Sequence, residues 1–319
     1  MDTFAIDIEG AGRVLKNIVY NVEKVIIGKR FPVELAINAL VCRGHVLIED
    51  VPGVGKTSLA SAIAKSLDCS FRRIQFTPDI MPSDITGFSV FDPRSNDFAY
   101  KPGVVMTQFL LADEINRTSP KTQSSLLEAM EEQQVTIDGT TYPIPSPFMV
   151  LATQNPIEYI GTFALPEAQL DRFFMKISLG YPQAEEETKI LSRFQIGSPL
   201  KGLEPVADEE RIVAIQDLAE TVHVDKSLQD YIVALVRFTR EQEEVALGAS
   251  PRASLCLFRS AQAWALYNGR DYAIPDDIIA MTPQILEHRL RIRQEARLKK
   301  TNAMRIVERA LEQVKKPAV

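Results

Sequence analysis

The chain has 319 residues, 45% of them hydrophobic and 24% charged, with a formal net charge of −6. That length suggests two domains of about 100–200 residues each, and the acidic balance is not what non-specific nucleic-acid binding selects. Cys42, Cys69 and Cys256 lie far apart with no CxxC pair and read as small hydrophobes in a reducing compartment, while three scattered histidines argue against a zinc site.

The N-terminal MDTFAIDIEG is acidic and lacks the basic region and apolar stretch of a secretory signal. No apolar run approaches the ~20 residues of a membrane helix, so no membrane span is expected and the expected location is cytoplasmic. From residue 11 to 42 the apolar positions Val14, Leu15, Ile18, Val19, Val22 and Val25, then Val33, Ala36, Ile37 and Leu40, predict two helices broken near Gly28 and Pro32. The period then changes. His45–Glu49 reads as a buried strand, running into the glycine-bearing loop Asp50-Val51-Pro52-Gly53-Val54-Gly55-Lys56-Thr57-Ser58 and a helix to Leu67.

Phe71–Phe76 predicts a second strand. Residues 77–103, rich in Pro, Asp, Gly and Ser, read as a turn plus a hairpin-like insert. Gln108–Ala112 is a third buried strand. Ser119 and Pro120 form an N-cap with proline at the first helical position, predicting a helix to about Glu132. Gln134–Ile137, the turn Asp138-Gly139 and Thr141–Ile144 make a hairpin, and Phe148–Ala152 and Phe174–Ile177 supply two more strands. After Pro182 the spacing is helical throughout, in segments near 183–195, 208–221, 226–242, 251–268, 276–290 and 301–314. A parallel-sheet α/β part over 1–181 followed by a helical part over 182–319 is the expected organisation.

Strand, loop and helix around Gly53-Val54-Gly55-Lys56-Thr57 are the context of a P-loop, in which backbone N–H groups and a helix N-terminus cradle phosphates. Lys56 is then expected to reach the β- and γ-phosphates, and Thr57 to place its hydroxyl on Mg2+. Asp50 departs from the pattern, which asks for glycine there; a carboxylate at the loop entry is expected to face away from the phosphates. Phe109–Asn116 is an apolar strand ending in two carboxylates. Asp113 suits the ion's water shell and Glu114 the water attacking the γ-phosphate. In the stretch 149–156, Asn155 ends a strand where open α/β sheets hold ligands; on the residues alone it is either a phosphate-facing amide or part of an Asn-Pro turn. Arg172, before the last strand, and Arg252, in the first turn of a helix after Ser250-Pro251, are either structural ion pairs or phosphate ligands, Arg252 across the domain cleft.

Together HVLIEDVPGVGKT, IQFTPDIMPSDITG, FLLADEINR, VTIDGTTYPIPSPFMVLATQNP, GTFALPEAQLDRFFMKI and GASPRAS resemble the MoxR family of AAA+ ATPases over nearly the whole chain. An acidic residue before VPG fits that family. The resemblance implies an αβα core with a five-stranded parallel sheet and an all-helical lid. It implies ATP and Mg2+ as ligands, with Lys56 and Thr57 as Walker A, Asp113 and Glu114 as Walker B, and Asn155 as sensor 1. Arg172 corresponds to an arginine finger acting on a neighbour's nucleotide and Arg252 to sensor 2 on the lid. Ile27 and Gly28 match the segment beside the adenine. Residues 77–103 and 134–147 match the helix-2 insert and the pre-sensor-1 hairpin. Arg117 is either an interface residue or one half of a plain salt bridge.

The implied assembly is a hexameric ring of identical subunits. The implied work is chaperone-like maturation, including metal insertion, of a protein client, with von Willebrand factor A-like proteins as the partner class. A magnesium chelatase-type motor subunit is the nearest alternative by motifs. A DNA-translocating AAA+ motor is less well supported, because the hairpin QVTIDGTTYPIP carries no Lys or Arg to meet a phosphate backbone. The basic stretch Arg289, Arg291, Arg293, Arg297, Lys299 and Lys300 reads as a solvated helical face or a contact with an acidic neighbour. No NKxD motif is present to read guanine.

Overall fold

The computed structural model describes residues 6–94, 96–155 and 163–317. Pro156 and the Gly161-Thr162 end of the GTFALPEAQ stretch lie outside the described residues. Asp7 accepts from the Gly10 N–H at 2.7 Å and caps α1 (Ile8–Glu23), which α2 (Arg30–Val41) follows. The α/β part then runs β1 (Val46–Glu49), α3 (Lys56–Ser66), β2 (Phe71–Gln75), α4 (Pro82–Thr86), β3 (Gly87–Asp92), β4 (Asp97–Pro102) and β5 (Phe109–Asp113). It continues through α5 (Pro120–Glu132), β6 (Gln134–Ile137), β7 (Thr140–Pro143), β8 (Met149–Gln154), α6 (Glu167–Leu170) and β9 (Met175–Ile177). Beyond lie α7 (Ala184–Ile196), α8 (Glu209–Glu220), α9 (Lys226–Arg240), β10 (Val245–Leu247), α10 (Pro251–Tyr267), α11 (Pro275–Leu286), β11 (Arg291–Ile292), α12 (Gln294–Leu298) and α13 (Ala303–Gln313).

The main sheet is parallel with order β2-β5-β8-β1-β9. Its central strands are buried on both faces, and the two-residue period decides which core each side chain enters. Val46 and Ile48, Phe109 and Leu111, Met149 and Leu151 point into a core shared with α1, α2, α3 and the later helices. Leu47, Leu110, Ala112, Val150 and Ala152 point the other way, onto Leu126, Leu127, Phe76 and Phe173. The first core runs without a break into Leu257, Ile278 and Ile285, so the helical region is seated on α1, α2 and the sheet.

All five sheet strands expected from the sequence are present. The insert holds the short helix α4 and the hairpin β3–β4, and β6–β7 is the second hairpin. The region after β9 departs from a purely helical reading: β10 and β11 form a small antiparallel ribbon with Val245 opposite Ile292. The helical pattern over 276–290 ends at Leu286 and tightens into a 3-10 turn over Glu287–Arg289. Pro32 sits in the first turn of α2, where a missing N–H costs nothing, so the break falls at residues 24–29 alone.

Candidate functional site

The loop between β1 and α3 leaves the C-terminal edge of the sheet. Gly53 (φ +87°) and Gly55 (φ +98°) adopt backbone that residues with a Cβ rarely take, and nothing lies within 4 Å of a Cβ built on Gly53. Gly55 caps α3 with no side chain accepting from the first turn, so the N–H groups at Lys56, Thr57 and Ser58 are open to an anion. Lys56 folds back and donates from Nζ to the Asp50 carbonyl at 2.8 Å. Burial pushes its pKa down, against the pull of Asp113, Asp50 and Glu114. Such a cation, with open N–H groups and small loop residues, fits a polyphosphate; Pro52 and Val54 complete the curve of the loop.

Asp50 is 7% exposed and faces away from the loop mouth. Its Oδ1 accepts from Ser178 Oγ at 2.9 Å and from the Gly180 N–H at 3.2 Å, and its Oδ2 accepts from the Leu179 N–H at 2.5 Å. A residue that looked hostile to phosphate is thus a tie between the loop and the exit of β9.

Asp113 ends β5 beside β1's neighbour β8. Its Oδ1 accepts from Thr153 Oγ1 at 2.6 Å and its Oδ2 from Arg73 Nη2, also at 2.6 Å. Thr153 Oγ1 in turn accepts from the Glu114 N–H at 2.9 Å. Glu114 sits in the left-handed region (φ 57°, ψ 50°), strained for a residue with a side chain. Arg117 Nη1 donates to its Oε2 at 2.9 Å. Asn155 follows directly on β8 and is 6% exposed. The arrangement brings Lys56, Thr57, Asp113, Glu114 and Asn155 to one edge of the sheet, a set suited to holding a hydrated divalent cation through Thr57 and Asp113 and to polarising a water through Glu114.

The turn between α1 and α2 borders the same loop, since a Cβ on Gly55 would meet Ile26 Cδ1 at 3.9 Å. Gly28 has φ +73° and lies so close to Glu186 that a Cβ there would fall 1.8 Å from its Oε1. Lys29 Nζ donates to the Tyr181 carbonyl at 2.8 Å and pairs with Glu186 at 3.8 Å. The half-buried Ile27 and the exposed Gly28 therefore follow directly on the residue that meets the loop, with Glu186 of α7 packed against Gly28.

Arg172 and Arg252 are elsewhere. Both reach Glu131 at the end of α5, Arg172 from Nε at 3.4 Å and Arg252 from Nη2. They line a cavity with Gly44, His45 and Cys42, at the N-terminal end of β1. The full length of β1 separates them from the loop of their own chain. The expectation that Arg252 faces its own loop's phosphates across the domain cleft is corrected: α10 presents its first turn to the opposite edge of the sheet, beside Arg172.

Several residues at these sites were not singled out from sequence. Arg73 and Thr153 hold Asp113; Thr153 carries a weak signal, lying on β8 two positions before Asn155. Glu131 was one carboxylate in an acidic helix end. Arg289, read as part of an exposed basic face, is 5% exposed and pairs with Asp171 at 2.7 Å; the basic reading is corrected for that residue. His45 is wholly internal, its Nδ1 accepting from the Val150 N–H and its Nε2 donating to the Met130 carbonyl, each at 3.0 Å, and burial lowers its pKa to about 4.

Residues 45–175 match the model of the ATPase family associated with various cellular activities (AAA), and residues 237–310 match the AAA lid domain. The uncharacterized protein YeaC of Bacillus subtilis is 49% identical over 304 residues, 95% of each chain. Chaperone MoxR1 of Mycobacterium tuberculosis is 42% identical over 96% of this chain and 83% of its own. The crystal structure of a candidate ATPase from Cytophaga hutchinsonii superposes with a TM-score of 0.89 at 38% identity, covering 97% of this chain and 96% of that one.

Proposed function

The chain belongs to the MoxR family of AAA+ ATPases and hydrolyses ATP; on that premise we propose that it works as a closed ring whose nucleotide sites are completed between subunits, and that it remodels a protein client. Residues 1–181 form the nucleotide-binding core in this reading, and 182–319 the lid. Loop N–H groups from Gly53 to Ser58 and the Lys56 ammonium bind the phosphates, while Ile27 and Gly28 border the adenine. Thr57 and Asp113 are the residues that would hold Mg2+, which would neutralise phosphate charge when bound. Glu114 orients and polarises the attacking water, with Asn155 beside it.

One observation carries the assembly: the two arginines suited to a transition-state phosphate sit together on the edge of the sheet away from their own loop. A subunit that offers a loop at one edge and cations at the other is complementary head to tail, and a head-to-tail contact that closes makes a ring; the family resemblance suggests six members. Arg252 then acts on the neighbour's nucleotide together with Arg172, rather than on its own. Arg172→Ala is expected to keep nucleotide affinity and lose turnover by roughly 10³-fold or more. Specific activity of the unmodified protein should fall on dilution, as subunits part. Full turnover in Arg172→Ala, or activity per subunit independent of dilution through the range where light scattering reports monomers, would refute the reading.

The client reading is supported by the hairpin β3–β4. Phe88, Phe91 and Phe98 are 48%, 47% and 68% exposed there, and Phe91 and Phe98 meet edge to face at 5.5 Å. Exposed aromatics on a ribbon suit contact with protein better than with a phosphate backbone. A von Willebrand factor A-like protein is the partner class the family suggests, and metal insertion its suggested outcome. Glu114→Gln protein, loaded with ATP, is the trap: recovery of such a protein supports this role, and recovery of nucleic acid alone overturns it.

A further inference from the structure

Arg289 is the most deeply buried cation that the mechanism above does not use. Its side chain is 1% exposed. Nε donates to Asp171 Oδ1 at 2.7 Å; Nη2 donates to the Phe173 carbonyl at 2.6 Å and reaches the Asp171 carbonyl at 3.3 Å. Nη1 donates to the Phe174 carbonyl at 3.2 Å and to the Ile285 carbonyl. All five N–H groups of the guanidinium are thereby engaged, in a fork that an ammonium cannot reproduce. Apart from the contact to Ile285 on α11, what they grip is the loop 171–174, the segment that carries Arg172.

The second oxygen of Asp171 is taken as well: Ser250 Oγ donates to Oδ2 at 2.8 Å. Ser250 is the N-cap of α10, and Arg252 stands two residues on. The contacts therefore close a circuit. Asp171 is bonded to Ser250 at the backbone roots of the two arginines, and Glu131 bridges Arg172 and Arg252 at their tips. Glu131 itself is steadied by the bond from His45 Nε2 to the carbonyl of the preceding residue, Met130, at 3.0 Å.

We propose that Asp171, fixed by Arg289 and bonded to Ser250, is a positioning residue that couples Arg172 and Arg252 into one pre-organised pair of cations for the neighbouring subunit's nucleotide. The proposal rests on the reading that the two arginines act in trans. Long guanidinium side chains lose rotamer freedom when they bind, and like charges resist standing side by side. The circuit removes that freedom in advance and places a carboxylate between the charges. Because one root belongs to the α/β part and the other to α10, the helical region presents Arg252 only together with Arg172.

Ser250→Ala tests this with both arginine side chains retained; it removes the bond to Asp171 and, with it, the cap that Ser250 Oγ gives the Arg252 N–H at 3.1 Å. It should lower kcat about 10- to 100-fold, as a displacement near 1 Å does, and leave the KM for ATP unchanged, because the subunit's own loop is intact. Ser250→Thr should restore the rate. The decisive readout is mixing with Glu114→Gln protein, which cannot hydrolyse but has intact arginines: Ser250→Ala subunits beside it should regain turnover, as Arg172→Ala subunits do. Full activity of Ser250→Ala alone would overturn the proposal. So would a deficit that Glu114→Gln protein fails to relieve while it relieves Arg172→Ala, since the defect would then lie within the subunit. If neither variant is relieved, the trans reading itself fails, and the coupling falls with it.

Discussion

Replacing Asp50 by glycine restores the residue that a generic P-loop has at that place, and the structure predicts damage. The carboxylate accepts three hydrogen bonds, at 2.9, 2.5 and 3.2 Å, from Ser178, Leu179 and Gly180. Removing it leaves the buried Leu179 N–H without an acceptor and the half-buried Gly180 N–H with only partial access to water. A buried donor stripped of its partner costs about 1–3 kcal/mol, and the added backbone freedom of glycine about 0.5–1 kcal/mol. The sum is roughly 1.5–4 kcal/mol, with the solvated Ser178 adding little. The same residue's carbonyl accepts from Lys56 Nζ at 2.8 Å, so a loosened loop should also bind ATP more weakly. Urea denaturation and nucleotide titration of Asp50→Gly read both effects. The sign of the second is diagnostic: a carboxylate facing the phosphates would repel them, and its removal would tighten binding. An unchanged denaturation midpoint, or a gain in ATP affinity, would refute the account of Asp50 as a tie to the exit of β9.

His45 is held neutral, its pKa lowered to about 4 by burial, whereas an unfolded histidine titrates near 6.5. Its contribution is therefore complete above about pH 6.5 and is lost as pH falls toward 4, by about 1.4 kcal/mol per pH unit within that window; His288 is shifted in the same direction by burial. The urea midpoint should drop between pH 7 and pH 5, and a flat profile would contradict this. Arg289→Met should destabilise by about 3–5 kcal/mol, the cost of breaking a buried ion pair from one side, whereas Arg297→Met on the exposed part of the basic stretch should leave the midpoint within about 0.5 kcal/mol. Gly28→Ala should displace Glu186 and strain a left-handed backbone by about 1–2 kcal/mol, lowering ATP affinity if the turn borders the adenine as proposed, while sparing the arginine pair; unchanged affinity would separate Gly28 from the nucleotide.

Much of the loop edge of the sheet was legible because a P-loop pattern is local: a strand, two glycines with positive φ, a lysine and a hydroxyl lie close together in sequence. The sheet strands were legible from apolar runs, since residues such as Leu110 and Leu111 enter opposite cores and leave no polar positions between them. The orientation of Asp50 followed from the repulsion it would otherwise cause. What remained hidden depends on contacts between distant segments. Helical spacing places Arg252 in a first turn but says nothing about which edge of the sheet that turn meets. Arg289 and Arg291 look alike in sequence; only packing buries one among carbonyls and leaves the other pairing with Glu167 at the surface. The β10–β11 ribbon is too short to show a period, and Thr153 becomes informative only when β8 is laid beside β5.

The most direct measurement of a site completed between subunits is the ATPase rate of Arg172→Ala protein mixed with Glu114→Gln protein across a range of ratios. Each should be nearly inactive alone, the first for want of a cation to give its neighbour and the second for want of a group to orient water. Mixed rings place an intact Glu114 against an intact Arg172, and turnover should appear with a maximum at an intermediate ratio. A mixture that stays inactive at every ratio, from variants that both bind ATP and assemble, would contradict it.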